Sequence, residues 1–344
     1  MVKIGDIELG EFPVFLSPMD DVTDLPFREI CKEKGADVLV TEFIASEALN
    51  RDAEKSKRKM YFTPRQHPIG IQIFGSDEDS LSRCIDVVAE AKPDFIDINW
   101  GCPVRKVAGK GAGSGMLKDI PKLLQITSAL VKRSPMPLTV KTRLGYEECD
   151  KPIVTLAEQL QDIGVAAISI HGRTKTQMYQ GKADWALIGE VKNNPRMKIP
   201  VFGNGDITTP QMVLEAKERY GVDGVLIGRA AIGNPWIFEQ TKRLLVGEEL
   251  REVAVSERAE MCRRHLLESI RFKLECVNRQ DLDDETIALQ ESQALKAAIF
   301  EMRKHYGGYF WGLYDFKQFR MPLVTSPNLE EILEVLTRIG EHYG

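Results

Sequence analysis

The sequence places Cys102 where an apolar, strand-like run gives way to a glycine-rich, basic loop. The run covers residues 95–98, and Gly101 and Pro103 flank the cysteine at the start of the loop. Most free cysteines are buried hydrophobes, but a thiol in partly exposed, cationic surroundings is often reactive. The bases Arg105 and Lys106 supply such surroundings here. We therefore interpret Cys102 as a candidate catalytic residue.

Eight short apolar runs alternate with helix-length segments and predict a (β/α)8 barrel. The runs cover residues 14–17, 38–41, 69–74, 95–99, 138–142, 167–171, 200–203 and 224–228. Several are rich in Val and Ile without interruption, which is typical of parallel strands buried on both faces. Residues 77–91, 121–132, 154–163 and 210–220 have helical spacing. Residues 50–59 are so charged that the sequence is compatible with either a solvated helix or a loop.

The strand pattern stops near residue 248. From residue 257 onward apolar residues recur at helical spacing up to the end of the chain. We therefore expect an α/β fold of two domains, a (β/α)8 TIM barrel over residues 1–248 and a smaller all-helical domain over residues 249–344.

Polar residues and glycines stand just after most of the predicted strands. In a (β/α)8 barrel the active site forms at these carboxyl-terminal strand ends. The residues found there are Pro18, Met19, Asp20, Gln72, Asn99, Lys141, His171, Arg173, Asn204, Gly205, Asp206, Gly228 and Arg229. We expect them to converge with Cys102 on a single site.

The loops after the last two strands have the features of a phosphate site. Glycine lets backbone N–H groups approach a ligand closely, and the start of a helix adds partial positive charge. These two loops often bind phosphate in such barrels. The chain has no Walker-type loop and no complete G-x-G-x-x-G motif, so a phosphate-bearing cofactor is expected rather than a nucleoside triphosphate or a Rossmann-type ligand.

Composition narrows the class of protein. The 344 residues carry a net charge of −5, which weighs against nucleic-acid binding unless the basic residues are concentrated locally. The six cysteines form no C-x-x-C pair, so reduced thiols are expected and no zinc site. No apolar run reaches the roughly 20 residues of a membrane span, and the N-terminus has no secretory signal pattern. A cytoplasmic location is therefore expected.

Taken together, seven motifs resemble the pattern of the tRNA-dihydrouridine synthases, in the same order and at similar spacing. They are Ser-Pro-Met-x-x-Val-Thr-Asp-x-Pro-Phe-Arg at 17–28, Gln-Ile-Phe-Gly at 72–75, Asp-Ile-Asn-x-Gly-Cys-Pro at 97–103, Lys-Thr-Arg at 141–143, Ile-His-Gly-Arg-Thr at 170–174, Asn-Gly-Asp-Ile at 204–207 and Ile-Gly-Arg-Ala at 227–230. Residues 301–306 resemble the helical tRNA-binding domain of the bacterial B-type members. Asp20, Asp21 and Trp100 depart from the pattern, at positions expected near the flavin or the uracil.

The resemblance implies a barrel that holds FMN and uses NADPH to reduce uridine in tRNA to dihydrouridine. Cys102 would be the proton donor, and Asn99 and Arg173 would orient the base. Contacts to the cofactor would come from Pro18, Met19, Asp20, Gln72, Lys141, His171, Asn204, Gly205, Asp206, Gly228 and Arg229. The implied partner is tRNA, and no metal, membrane or obligate protein partner is expected.

Two other functions remain open on the residues alone. A small-molecule flavin reductase of dihydroorotate or dihydropyrimidine type would share the barrel and FMN, but it needs no helical extension. A non-catalytic RNA-binding protein would need neither Cys102 nor Lys141. Bases mixed with aromatics at 304–320 suit RNA contact by Arg303, Lys304, Lys317 or Arg320, although the rings also suit the core of the small domain.

Overall fold

The computed structural model describes residues 1–280 and 282–344. Its first element is an antiparallel hairpin of β1 (Val2–Ile4) and β2 (Ile7–Gly10), which the sequence analysis did not predict. Ile4 packs among interior side chains of the barrel. Because Gly5 abuts Pro137, which directly precedes a barrel strand, the hairpin closes the amino-terminal end of the barrel.

Eight parallel strands form a closed barrel, which confirms the predicted fold class. They are β3 (Val14–Leu16), β4 (Val38–Val40), β6 (Ile69–Phe74), β7 (Phe95–Trp100), β8 (Leu138–Arg143), β9 (Ala167–His171), β10 (Val201–Asn204) and β11 (Gly224–Ile227), with a two-residue strand β5 (Ile44–Ala45) beside β6. Each barrel strand is hydrogen-bonded to the next, and pairings of β3 with β11 and of β4 with β6 complete the ring. Their side chains are buried almost throughout, because helices cover the outside and side chains fill the interior.

Helices connect the strands and pack around them. They are α1 (Leu25–Glu33), α2 (Ser46–Asn50), α3 (Glu54–Arg58), α4 (Glu78–Glu90), α5 (Arg105–Ala108), α6 (Ile120–Arg133), α7 (Ile153–Asp162), α8 (Trp185–Asn193), α9 (Pro210–Tyr220) and α10 (Trp236–Leu245). Asp77 caps α4 by accepting a hydrogen bond from Ser80 N at 2.7 Å, as its residue type predicts. The charged stretch at 50–59 includes the end of α2 and all of helix α3, in which no residue is buried.

The chain continues as α11 (Val255–Glu275), α12 (Asp284–Tyr309), α13 (Lys317–Thr325) and α14 (Leu329–Tyr343). These four C-terminal helices share their own apolar cluster, which Ile30 of α1 and Trp236 of α10 join. Arg264 pairs with Glu33 at 2.6 Å across the same junction. The C-terminal helices therefore pack against the side of the barrel formed by α1 and α10. Among the described residues, no helix is both long and apolar enough to cross a membrane.

Candidate active site

A cavity of about 740 Å³ opens at the carboxyl-terminal ends of the barrel strands. Its size is in the range of sites that hold small molecules and cofactors. It brings together every residue of the predicted site except Arg173: Pro18, Met19, Asp20, Gln72, Asn99, Cys102, Lys141, His171, Asn204, Gly205, Asp206, Gly228 and Arg229. Residues far apart in sequence meet here because all parallel strands end at the same mouth.

Cys102 is fixed through both sides of its backbone. Its N–H donates to Asn99 Oδ1 at 2.8 Å, and its carbonyl accepts from Ser114 N at 3.1 Å and Ser114 Oγ at 2.8 Å. The side chain is 7% exposed, and that burial raises the pKa of the Cys102 thiol. The thiol thus keeps its proton at neutral pH, which suits a proton donor better than a nucleophile.

Cationic side chains give the cavity a positive character. Burial lowers the pKa of Lys141 to about 8, with the neighbouring Arg143 adding to the effect, and Lys141 Nζ donates to Asn204 Oδ1 at 3.0 Å. Burial, together with nearby Arg and Lys side chains, holds the pKa of His171 well below its ordinary value. His171 is therefore neutral, and the charge of the site comes from lysine and arginine. An anionic ligand is favoured.

The glycine loops after β10 and β11 offer hydrogen-bond donors to a ligand. In the part of the chain that the structure describes, the backbone N–H groups of Gly205, Gly228 and Arg229 have no hydrogen-bond acceptor. Gly205 has φ +126°, and a Cβ there would lie 3.0 Å from His171 Cδ2, so only glycine fits. Free N–H groups beside the Arg229 guanidinium match the chemistry of a phosphate. These residues therefore fit the phosphate end of FMN.

Asp206 organises these two loops. Burial raises its pKa, but hydrogen bonds from Ala183 N and Arg173 outweigh that effect and lower it overall, so the carboxylate stays ionised. It accepts from Arg173 Nη2 at 2.7 Å and from Arg229 Nη2 at 3.2 Å. The Arg229 guanidinium is thereby held beside the loop after β10, in the lining of the cavity.

Similarity to known proteins assigns the chain to a family. The model of the Dihydrouridine synthase (Dus) family matches residues 15–301. This chain belongs to the dihydrouridine synthase family.

Individual relatives agree with this assignment. The chain is 36% identical to tRNA-dihydrouridine synthase B of Pseudomonas aeruginosa over 269 residues, which are 78% of this chain and 80% of that protein. It is 34% identical to a probable tRNA-dihydrouridine synthase of Rickettsia conorii over a 347-residue alignment that covers 100% of this chain and 96% of that protein. The second alignment includes the C-terminal helices as well as the barrel.

Three residues that the sequence analysis placed at or near the site do not line the cavity of this family member: Asp21, Trp100 and Arg173. The Arg173 guanidinium is 2% exposed and donates to Gln180 O at 3.1 Å, Gly181 O at 2.7 Å and the Asp206 carboxylate. It holds the loop after β9 and has no direct access to a base in this arrangement. The expectation for Trp100 is wrong: its ring faces outward from the barrel, where Nε1 donates to Thr127 Oγ1 at 3.1 Å. Strand alternation sends Trp100 and Asn99 to opposite faces.

Sequence reasoning missed several residues that line the cavity. Arg143 belongs to the Lys-Thr-Arg motif at 141–143, but the sequence alone predicts no role for it. It lines the cavity, and its Nε donates to Gly101 O at 2.8 Å and so supports the Cys102 loop. Tyr179 lies in the exposed loop after β9, and its ring centroid is 5.7 Å from the Arg143 guanidinium and 5.1 Å from that of Arg229. Only its place after a barrel strand could have indicated this residue.

The C-terminal helices contact the loop after β3, which lines the cavity. Lys304 on α12 donates to Asp21 O, while Lys59 pairs with Asp20 and, at 3.3 Å, with Glu42. Of the two acidic departures from the family pattern, Asp20 is thus neutralised by Lys59, whereas Asp21 is held through its backbone. This contact ties the helices to the loop that carries four of the cavity residues, Ser17 to Asp20.

The aromatic run near the end of α12 contributes largely to the core. Tyr306, Tyr309, Phe310 and Phe319 are buried, whereas Trp311 and Tyr314 are exposed. The Arg303 guanidinium lies 4.0 Å from the Phe300 ring centroid. Lys317 and Arg320 are exposed on α13.

Proposed function

We propose that this protein reduces specific uridines of tRNA to 5,6-dihydrouridine, with FMN as cofactor, NADPH as reductant and Cys102 as proton donor. The observation that supports this most strongly is the arrangement of one cavity. A protonated thiol lies in the same cavity as Lys141 and as two glycine loops whose N–H groups are free to bind a phosphate.

The two glycine loops would hold the phosphate of FMN through Gly205, Gly228 and Arg229, with further cofactor contacts from Pro18, Met19, Asp20, Gln72, His171, Asn204 and Asp206. Lys141 would face the ring system, where its ammonium offsets negative charge. FMN would supply the hydride chemistry that amino-acid side chains lack.

The residues of the chain supply the second half of the reduction. Cys102 Sγ would give its proton to C5 of the uracil as general acid. Asn99 keeps one N–H free for the base after its contacts with Gln72 and the backbone. Arg173 would act on the base through the loop that it holds. The target uridine must leave its stack to enter the cavity.

We assign tRNA binding to residues 249–344, with barrel and helices divided at residue 248. Arg303, Lys304, Lys317 and Arg320 are the bases assigned to RNA contact. Of these, Lys304 contacts the backbone of Asp21, next to the cavity-lining Asp20. A tRNA substrate makes the cytoplasm the expected compartment.

The test is direct. Purified protein is incubated with NADPH and unmodified tRNA, and dihydrouridine is measured by mass spectrometry of the digested RNA. We expect a flavin absorbance spectrum and dihydrouridine at defined positions. A colourless protein that does not bind added FMN, or reduction of free pyrimidines but not of tRNA, would rule out this function.

A further inference from the structure

Asp97 is a buried carboxylate that no step of the proposed reaction uses. It lies on β7 two residues before Asn99, so both side chains point into the barrel. Asp97 stands opposite Gln72 on β6 and Thr139 on β8. It is 4% exposed, and it accepts hydrogen bonds from Gln72 Nε2 at 2.5 Å and from Thr139 Oγ1 at 2.6 Å. Two neighbouring strands therefore satisfy its carboxylate.

A continuous chain of hydrogen bonds runs from this carboxylate to the backbone of Cys102. Gln72 Oε1 accepts from Asn99 Nδ2 at 2.8 Å. Asn99 Oδ1 then accepts from the N–H groups of Gly101 at 3.0 Å and Cys102 at 2.8 Å. Gln72 is fully buried and Asn99 is 6% exposed, so water competes little for these bonds. We call Asp97, Gln72 and Asn99 the amide relay.

The carboxylate of Asp97 decides in which direction each amide of the relay points. An ionised carboxylate only accepts hydrogen bonds, whereas a carboxamide has one donor end and one acceptor end. Asp97 therefore requires the NH2 end of Gln72, which leaves Gln72 Oε1 facing Asn99. Asn99 must then present its own NH2 end to Gln72, and its oxygen is left for the Cys102 loop. A reversed Asn99 would set NH2 against the N–H of Cys102.

We propose that Asp97 is a positioning residue: through the amide relay it sets the orientation of Asn99 and so holds the Cys102 loop where the thiol faces the cavity. This role rests on the proposed function of Cys102 as proton donor. Asp97 touches neither Cys102 nor the cavity. Its hydrogen-bonded route to the Cys102 loop runs through Gln72 and Asn99, and its charge also favours the ammonium form of Lys141.

A residue that merely fills the barrel interior would not depend on the direction of its hydrogen bonds. Reversal of the relay separates the two roles. Asn99→Asp places a second acceptor-only group at the other end of Gln72, so one link must fail. Adding Asp97→Asn restores every link in the opposite sense, because the new amide donates to Gln72 Oε1 and Gln72 Nε2 donates to the new carboxylate. The backbone N–H groups of Gly101 and Cys102 again find an oxygen.

The experiment compares the full-length, cofactor-loaded protein with Asp97→Asn, Asn99→Asp and the double variant. Thr139→Val is the control, since it removes a hydrogen bond from the same carboxylate without reversing an amide. The readouts are the unfolding temperature, the rate of alkylation of Cys102 by iodoacetamide and the rate of tRNA reduction. Peptide mapping separates Cys102 from Cys149, an exposed thiol that serves as internal reference.

We expect the effect of Asp97→Asn on the unfolding temperature to have opposite signs in the unmodified protein and in Asn99→Asp. It should lower the unfolding temperature of the unmodified protein by about 3 °C and raise that of Asn99→Asp by a similar amount. Cys102 should be alkylated about tenfold faster in Asn99→Asp than in the double variant, although both have the same carboxylate beside it. Reduction of tRNA should be slower in Asn99→Asp than in the double variant. Thr139→Val should lower the unfolding temperature on both backgrounds.

An effect of Asp97→Asn in the same direction on both backgrounds would overturn the proposal. A sign change in stability without any change in Cys102 alkylation would overturn the positioning role. The alkylation comparison does not depend on catalysis. If Cys102→Ala reduced tRNA at the unmodified rate, the proposed role of Cys102 as proton donor would therefore fail, while the relay could still be judged.

Discussion

Two adjacent glycines near the end of α12 allow a matched test of how the C-terminal helices dock on the barrel. A Cβ on Gly308 would lie 1.9 Å from the Ile232 carbonyl oxygen, whereas a Cβ on Gly307 would meet nothing within 4 Å. On the other side of the junction, a Cβ on Gly233 would lie 2.0 Å from the His305 carbonyl oxygen. Backbone meets backbone here, and no side chain can rotate away. Gly308→Ala should therefore force the helix off the barrel, and Gly307→Ala should not.

The magnitude follows from the overlap. An ordinary contact begins near 3.4 Å, so α12 must retreat by about 1.5 Å from the loop that contains Ile232. Overpacking typically costs about 1–3 kcal/mol, and a clash between backbones belongs at the upper end. Replacing glycine by alanine within a helix stabilises the helix by at most about 1 kcal/mol. We expect Gly308→Ala to lose about 2 kcal/mol of unfolding free energy and Gly307→Ala to gain up to about 1 kcal/mol.

Urea unfolding of the purified proteins measures this difference as a shift of midpoint at constant slope. The same preparations report a second effect, because Ile232 follows the loop of Gly228 and Arg229. Gly308→Ala should retain less flavin through gel filtration, whereas Gly307→Ala should retain as much as the unmodified protein. Equal midpoints for the two alanine variants would refute the close approach of α12 to this loop.

Three further predictions concern the site and the junction. Cys102→Ala should leave flavin binding and NADPH oxidation near normal and slow dihydrouridine formation by about 10²–10⁴-fold, measured side by side; unchanged tRNA reduction would contradict it. Arg229→Ala should weaken FMN binding about tenfold or more in a fluorescence titration, since a charged hydrogen bond contributes about 1.5–3 kcal/mol. Hydrogen bonding to Arg251 lowers the pKa of Glu257 from 4.5 to about 2. The unmodified protein should therefore exceed Glu257→Gln in unfolding free energy by the full amount above pH 4.5, and this difference should vanish as the pH falls toward 2. Urea unfolding at a series of pH values measures it, and a difference that persists at about pH 2 would argue against this ion pair.

The barrel could be predicted from sequence because its strands carry a strong signal. Strands buried on both faces need continuous apolar runs, and the runs at 69–74 and 167–171 match the observed strands. The place of Cys102 followed from the same pattern, since a residue after a parallel strand must lie at the mouth. Location at the mouth could thus be read from the chain order alone.

Side-chain direction could not be predicted in the same way. Arg173 comes two residues after the strand that ends at His171, yet it turns away from the cavity, because the carbonyls of Gln180 and Gly181 and the Asp206 carboxylate accept hydrogen bonds from its guanidinium. Those carbonyls come from residues seven and eight positions later, and no local pattern marks them. The contact of Gly308 with Ile232 is hidden for the same reason: a glycine in a helix signals low propensity, not what it packs against.

The net charge of the chain and the charge of the cavity have opposite signs, and the structure explains how. The lining cations include Lys106, Lys141, Arg143 and Arg229, and the lining acids are Asp20 and Asp206 in the described part of the chain. Both acids are paired, Asp20 with Lys59 and Asp206 with two arginines. Charges more than about 10 Å away are screened at ordinary salt, so the surplus of acid elsewhere has little effect at the mouth. A net charge of −5 is therefore compatible with an anionic ligand at the barrel mouth.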